Sequence, residues 1–418
     1  MDERQMERIL WKDSKKVLFW IGIGILIGSI TGLAGTIFLF CVQYVTSLRQ
    51  SHLWLVFLLP LGGLVIAWMY HPYEKNEVKG TDLVIDAIRS DRQVPGAMVP
   101  LIFFSTVITH LFGGSAGREG AALQLGGSIG FRLGKWLHLN GKDIHIAVLC
   151  GMAGCFSALF GTPVTAVVFV LEVVTVGVMY YSALVPCTAS TLTAFMIAQA
   201  LHAPATAFTI AAIPAAGIRT LAECAVLAAL CGLLSILFCK STRTAGRLMT
   251  RWFPNSYLRA AVGGAAVIVL YLIFGSDYLG AGGNIIAAAI SGNAVWYAFL
   301  LKLLFTAVTL GSGFKGGEIV PAFFVGATFG CFMGSMLGIG PTLGAAIGFV
   351  CLFCGITNCP ISSFILGIEV FGGQGILYFM CAVAISYTMS GYFSIYTKQK
   401  ILYSKTSPVY LGGQKGSS

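Results

Sequence analysis

Two glycine-rich turns carry the chemistry of this sequence. Gly113-Gly-Ser-Ala-Gly-Arg-Glu119-Gly120 and Gly311-Ser-Gly-Phe-Lys-Gly-Gly-Glu318-Ile-Val-Pro321 each open an apolar run, and each contains one glutamate. The first turn of a helix leaves backbone N–H groups unpaired at the positive end of its dipole, and glycine lets an ion approach the main chain closely. Such turns are anion sites made of amides. A phosphate loop is the competing explanation, but neither turn has the GxxxxGK[ST] spacing.

A carboxylate in an apolar region is costly unless it is protonated or paired, so Glu119 and Glu318 read as proton carriers. A carboxylate also presents the same negative oxygen as the anion to the same amides. Protonation would release it and admit the anion, linking the two movements. The alternative makes each glutamate structural, neutralised by Arg118 or Lys315. Glu172 and Glu369, at the ends of two apolar stretches, read as structural. His110 is most simply hydrogen-bonded within a helix bundle, with a proton path as the other reading. The six histidines show no HExxH or other ligand spacing, and neither a metal nor a cofactor is expected. The 12 cysteines sit inside apolar runs, as small buried side chains and not disulfides.

The elements that hold these residues must be membrane helices. Of 418 residues, 57% are hydrophobic and 10% charged, against roughly 25% charged in an average soluble domain. A water-soluble globular enzyme is excluded. Residues 17–45 carry no charge, a run longer than the roughly 20 residues that span a bilayer. Several later apolar stretches are short and interrupted by glycine, as in re-entrant and broken helices lining a protected cavity. No Ser-His pair or metal constellation suggests an enzyme.

The residues recur at an offset of about 200. Gly80-Thr-Asp matches Gly282-Gly-Asn, Gly117-Arg-Glu119 matches Gly316-Gly-Glu318, and Pro163 to Glu172 matches Pro360 to Glu369. The net charge of +10 gathers before residue 17, in Lys240 to Arg251 and in Lys398 to Lys415. By the positive-inside rule both termini face the cytoplasm, and the linker, nearly free of charge, faces out. No basic run is interleaved with exposed aromatics, so nucleic acid is not an expected partner. The N-terminus has no small-residue cleavage site and is not read as a cleaved signal peptide. Each half then crosses an odd number of times, which makes an inverted repeat. The expected organisation is a cytoplasmic segment 1–16, a first repeat 17–201, an extracytoplasmic linker 202–218, a second repeat 219–403 and a cytoplasmic tail 404–418.

On these residues the chain resembles the CLC family of chloride channels and anion/proton exchangers, from about residue 17 to 403. Gly117-Arg118-Glu119-Gly120 is similar to the family's GREG(P) element, whose glutamate is the gate. Gly317-Glu-Ile-Val-Pro321 is similar to its GxFxP element, and Gly80-Thr81-Asp82 stands in the place of GSGIP. Ser394-Ile395-Tyr396 resembles the element that supplies the inner tyrosine. Gly313-Phe-Lys-Gly-Gly-Glu318 is similar to the fluoride/proton antiporter branch, CLC-F, in which a glutamate enters the second anion loop. Val173 replaces the internal proton-transfer glutamate of many chloride/proton exchangers. Thr81 stands where the fluoride branch commonly has methionine, Val320 where it often has threonine, and Asp82 adds a carboxylate beside the inner vestibule.

The resemblance implies an all-helical, inverted-repeat, multi-pass protein of a bacterial inner membrane. It implies a homodimer with one pathway per subunit, without the cytoplasmic regulatory domains of many eukaryotic members. It implies fluoride export in exchange for protons, with chloride/proton exchange or passive chloride conduction as the alternative. Glu119 and Glu318 would carry protons. Gly117, Arg118, Ile319, Val320, Thr81 and Tyr396 would line the anion site.

Overall fold

A computed structural model describes residues 3–73, 80–90 and 92–415, with side chains from residue 14 to residue 412. The first half runs α1 (Glu3–Ser51), α2 (Leu59–Tyr70), α3 (Thr81–Arg89), α4 (Met98–Leu111), α5 (Glu119–Trp136), α6 (Gly141–Phe160), α7 (Pro163–Val173) and α8 (Leu184–Ala200). The second runs α9 (Ile218–Trp252), α10 (Ser256–Phe274), α11 (Gly283–Ile290), α12 (Ala298–Gly311), α13 (Ile319–Leu337), α14 (Pro341–Thr357), α15 (Pro360–Phe371) and α16 (Ile376–Met389). The order of long and short helices is the same in both halves, and so is the packing. α1 lies against α4, α6 and α8, as α9 lies against α12, α14 and α16. This is the expected inverted repeat.

Local chemistry sets the boundaries. Gly161 (φ 78°) ends α6 in the left-handed region, and Pro163 opens α7 two residues later. Asn358 (φ 58°) and Pro360 do the same between α14 and α15. A left-handed residue terminates a helix, and proline fits a first turn because that turn has no use for its N–H. At the start of α6, Asn140 Oδ1 accepts from Asp143 N–H at 3.0 Å.

Among the described residues, seven helical segments are long and apolar enough to cross a membrane. Others are not. α4 has 14 residues, about 21 Å of helix at 1.5 Å per residue, against a hydrocarbon core of about 30 Å. A helix that stops at membrane depth exposes backbone groups, which only protein or a lined cavity can shelter. The turn after α4 and the turn after α12 are sheltered by each other.

Backbones touch where the turns must be held. A Cβ on Gly126 of α5 would lie 2.1 Å from Gly151 O of α6, and one on Gly326 of α13 would lie 2.2 Å from Gly348 O of α14. In a membrane, close packing of this kind replaces the hydrophobic drive between helices.

Two details differ from the expectation. The chain is not wholly helical: β1 (Thr175–Val176), β2 (Lys400–Tyr403) and β3 (Tyr410–Lys415) form a small sheet, β1 parallel and β3 antiparallel to β2. Residues 400–415 hold two short apolar runs, Ile401 to Tyr403 and Val409 to Leu411, on either side of a Ser-Lys-Thr-Ser-Pro turn, which is the pattern of a hairpin. In the expected N-terminal segment, residues 1 and 2 lie outside the described residues, and from Glu3 the backbone already belongs to α1.

Candidate functional site

The two glycine-rich turns are joined to each other. Gly117 N–H donates to Gly317 O and Gly317 N–H to Gly117 O, both at 2.7 Å. Such reciprocity is what a two-fold relation between halves produces. Only glycine permits it: a Cβ on Gly317 would come 2.5 Å from Gly120 N, and one on Gly120 would come 2.9 Å from Gly317 Cα. The bridge corrects one expectation, because the Gly117 amide faces Gly317 and not an anion.

Glu119 is the first residue of α5 and only 1% exposed. Its Oε2 accepts the Arg118 N–H at 3.0 Å, and Arg118 Nε lies 3.6 Å from Oε1. The carboxylate is thus folded back onto the helix-opening turn, on an amide of the kind an anion would use. Arg118 meets Glu119 through both its amide and its guanidinium. Across the joint, Ile319 and Val320 open α13, and their N–H groups have no intrahelical acceptor.

A cavity lies on each side of the joined turns. One, of about 570 Å³, is lined by Arg118, Glu119 and Val320 and reaches linker residues 205–208. The other, of about 190 Å³, is lined by Gly120, Glu318, Ile319, Thr81, Asp82 and Tyr396. No residue lines both. Successive residues, Glu119 then Gly120 and Ile319 then Val320, face opposite cavities, so the septum is one residue thick in each helix.

In the smaller cavity the Glu318 carboxyl makes no hydrogen bond or ion pair among the described residues. Lys315, the neighbour considered for its neutralisation, instead holds its ammonium 4.5 Å from the centre of the Tyr70 ring. The Thr81 hydroxyl donates to Gly120 O at 3.1 Å, tying the start of α3 to the first turn of α5. Tyr396 is 5% exposed, and among the described residues its hydroxyl has no partner.

The segment around Tyr396 is clamped, and the clamp gives Asp82 its place. Asp82 Oδ2 accepts from the Thr397 hydroxyl at 2.5 Å and from Thr397 N–H at 3.1 Å, while Oδ1 accepts from Lys398 N–H at 3.2 Å. Arg89 donates to Lys398 O at 2.8 Å and Arg243 to Ser394 O at 2.7 Å. Sequence reasoning missed this role. The only signal was a carboxylate at a helix start, and its partners lie more than 300 residues away. His110, 0% exposed, is among the residues around the larger cavity; it meets Thr106 O through Nδ1 at 2.9 Å, and its Nε2 is without a partner among the described residues.

A multi-pass membrane fold of two reciprocal halves, with an amide septum closed by a carboxylate between two cavities, defines an anion channel or transporter. The chain belongs to the CLC family: the family model described as "Voltage gated chloride channel" matches residues 62–391. It is 32% identical to a chloride/fluoride channel protein of Pseudomonas syringae pv. tomato, over 92% of this chain and 87% of that one. To the H(+)/Cl(-) exchange transporter ClcA of Vibrio campbellii it is 26% identical, over 85% and 82%. The crystal structure of a CLC-type fluoride/proton antiporter, 32% identical, matches with a TM-score of 0.88 over 92% of this chain and 98% of that chain.

Proposed function

We propose that this protein exports fluoride in exchange for protons. The observation that carries the reading is the pair of glutamates on the joined turns: Glu119 rests on an amide at one face of the septum, and Glu318 stands unpaired at the other. A proton from the linker side neutralises Glu119 and releases it from the Arg118 amide. An anion then takes that place, held by the amides of Arg118, Ile319 and Val320 with Gly117 as the hinge of the turn. Glu318 receives the proton on the other face, in the absence of a glutamate at Val173. Tyr396 and Thr81 close the anion path there. Fluoride enters a cell as its neutral acid and dissociates inside, so an exchanger driven by inward protons has work to do.

The larger cavity opens to the outside and the smaller to the cytoplasm, as the basic segments near both termini require. Repeats 17–201 and 219–403 are joined by the extracytoplasmic linker 202–218, with 1–16 and 404–418 inside. The setting is a bacterial plasma membrane, and the working form is a homodimer with a pathway in each subunit.

Proteoliposomes test the reading: fluoride and chloride efflux are followed together with internal pH, for the wild type and Glu119→Gln. Fluoride leaving much faster than chloride, with protons moving in and the coupling lost in the variant, is expected. Equal chloride flux supports the second reading, chloride/proton exchange, which the hydroxyl of Thr81 favours. Flux with no proton movement in the wild type rejects both exchangers.

A further inference from the structure

The larger cavity contains a charge that the septum does not use. Arg49 closes the long apolar helix α1 and is 4% exposed. One guanidinium nitrogen donates to His110 O at 2.9 Å, and among the described residues the Arg49 side chain makes no other hydrogen bond and no ion pair. The carboxylates that share the cavity are otherwise placed: Glu119 is held by Arg118, and Asp277 is exposed at the rim. The carbonyls at the end of α1 favour a cation, but that return is a fraction of the cost of desolvating a guanidinium. Arginine does not shed its proton to escape that cost. A small anion from solution, admitted by the cavity that Arg49 lines, would offset that cost.

His110 supplies the second, independent observation. It is fully buried, lines the same cavity and leaves Nε2 without a partner among the described residues. Three basic side chains act on it electrostatically: Arg49 from α1, Arg118 from the turn before α5, and Lys302 from α12. Lys302 is satisfied, donating to Tyr278 O at 3.1 Å and Gly280 O at 2.6 Å, and among the described residues around this cavity Glu119 is the buried acid. Because Nδ1 faces a carbonyl, it carries the ring's hydrogen in the neutral form, and Nε2 presents a lone pair. With a proton added, Nε2 becomes a second donor, in a pocket that already holds the Arg49 guanidinium.

We propose that Arg49 and His110 form a second binding site for a small monovalent anion of the halide class, outside the septum, and that the anion binds there together with a proton on His110. The positive pocket draws the anion in, and the anion makes the histidinium tolerable among three cations. Arg49 and His110 share the cavity with Arg118, Glu119 and Val320 but are not themselves septum residues, and the existence of their site does not depend on which anion the protein transports.

The test is anomalous diffraction from crystals of the full chain soaked in bromide, at about pH 5 and at about pH 8, on either side of the ordinary histidine range. A bromide peak within contact distance of Arg49 and His110 Nε2 is expected at the lower pH, with at least a threefold loss of occupancy at the higher. Arg49→Gln should abolish it, and His110→Asn should leave what remains insensitive to pH. A cavity without bromide in the wild type at the lower pH overturns the proposal, whether or not the septum is occupied. A peak that survives in Arg49→Gln also overturns it. Should Arg49→Gln fail to fold, Arg49→Lys and the wild-type pair of pH values decide the matter. Septum occupancy in the same crystals reports separately on the transport reading.

Discussion

Glu172 and Glu369 cap each other's partner helix. Glu369, near the end of α15, accepts from Val164 N–H at 2.9 Å and Thr165 N–H at 2.7 Å at the start of α7. Glu172, near the end of α7, accepts from Ile361 N–H at 3.1 Å and Ser362 N–H at 3.0 Å at the start of α15. Each carboxylate meets the positive end of the other helix, and the exchange ties the two halves together.

Either glutamate should therefore be costly to lose without changing the transport chemistry. Glu172→Ala and Glu369→Ala each strand two donors at a helix start, which costs about 1–3 kcal/mol. Thermal unfolding in detergent measures it, with flux per folded protein as the control. Melting temperatures equal to the wild type would sink the capping role.

The glycine joint predicts a sharper defect. Gly317→Ala places a methyl group where Gly120 N stands 2.5 Å away. Backbone has to move, at about 1–3 kcal/mol for overpacking, and the septum amides move with it. Anion flux should fall more than about tenfold, taking a displaced amide as worth 1.4 kcal/mol or more. Normal flux from a folded Gly317→Ala protein would show that the joint does not set the pathway.

Asp82 and Tyr396 should separate positioning from contact. Asp82→Ala removes three hydrogen bonds to the chain just after Tyr396 and should lower stability, while raising anion leak uncoupled from protons. Tyr396→Phe loses a hydroxyl that has no partner among the described residues, so its stability should stay within about 0.5 kcal/mol. A change in its flux then reports the hydroxyl's contact with the anion. If Asp82→Ala keeps tight coupling, the clamp is not what holds the inner closure.

Lys405 gives a pH dependence with a definite sign. It lies between β2 and β3, outside the spans, and donates to Asn358 Oδ1 at 2.6 Å, Tyr387 O at 2.9 Å and Ser390 Oγ at 3.0 Å. Burial pushes its ammonium down to about 8, against about 10.4 in an unfolded chain. Between those values the unfolded state binds more protons, so this group's contribution to stability rises with pH and is lost as pH falls through 8. The melting temperature of the wild type relative to Lys405→Met should increase from pH 8 to about 10. A difference that stays flat with pH contradicts this.

The sequence by itself determined the membrane class, the repeat and the two glutamates, because composition, a recurring spacing and a carboxylate in an apolar run are local properties. Tertiary structure alone decided which amides remain for an anion. Gly117 looked like a donor to the site until its N–H was found on Gly317, 200 residues away. It also decided that Asp82 serves the Tyr396 segment, that Glu172 and Glu369 exchange helices, and that Arg49 and His110 share one cavity. Hydrogen bonds and burial between distant residues depend on how the halves meet, and the pattern within either half does not encode that meeting.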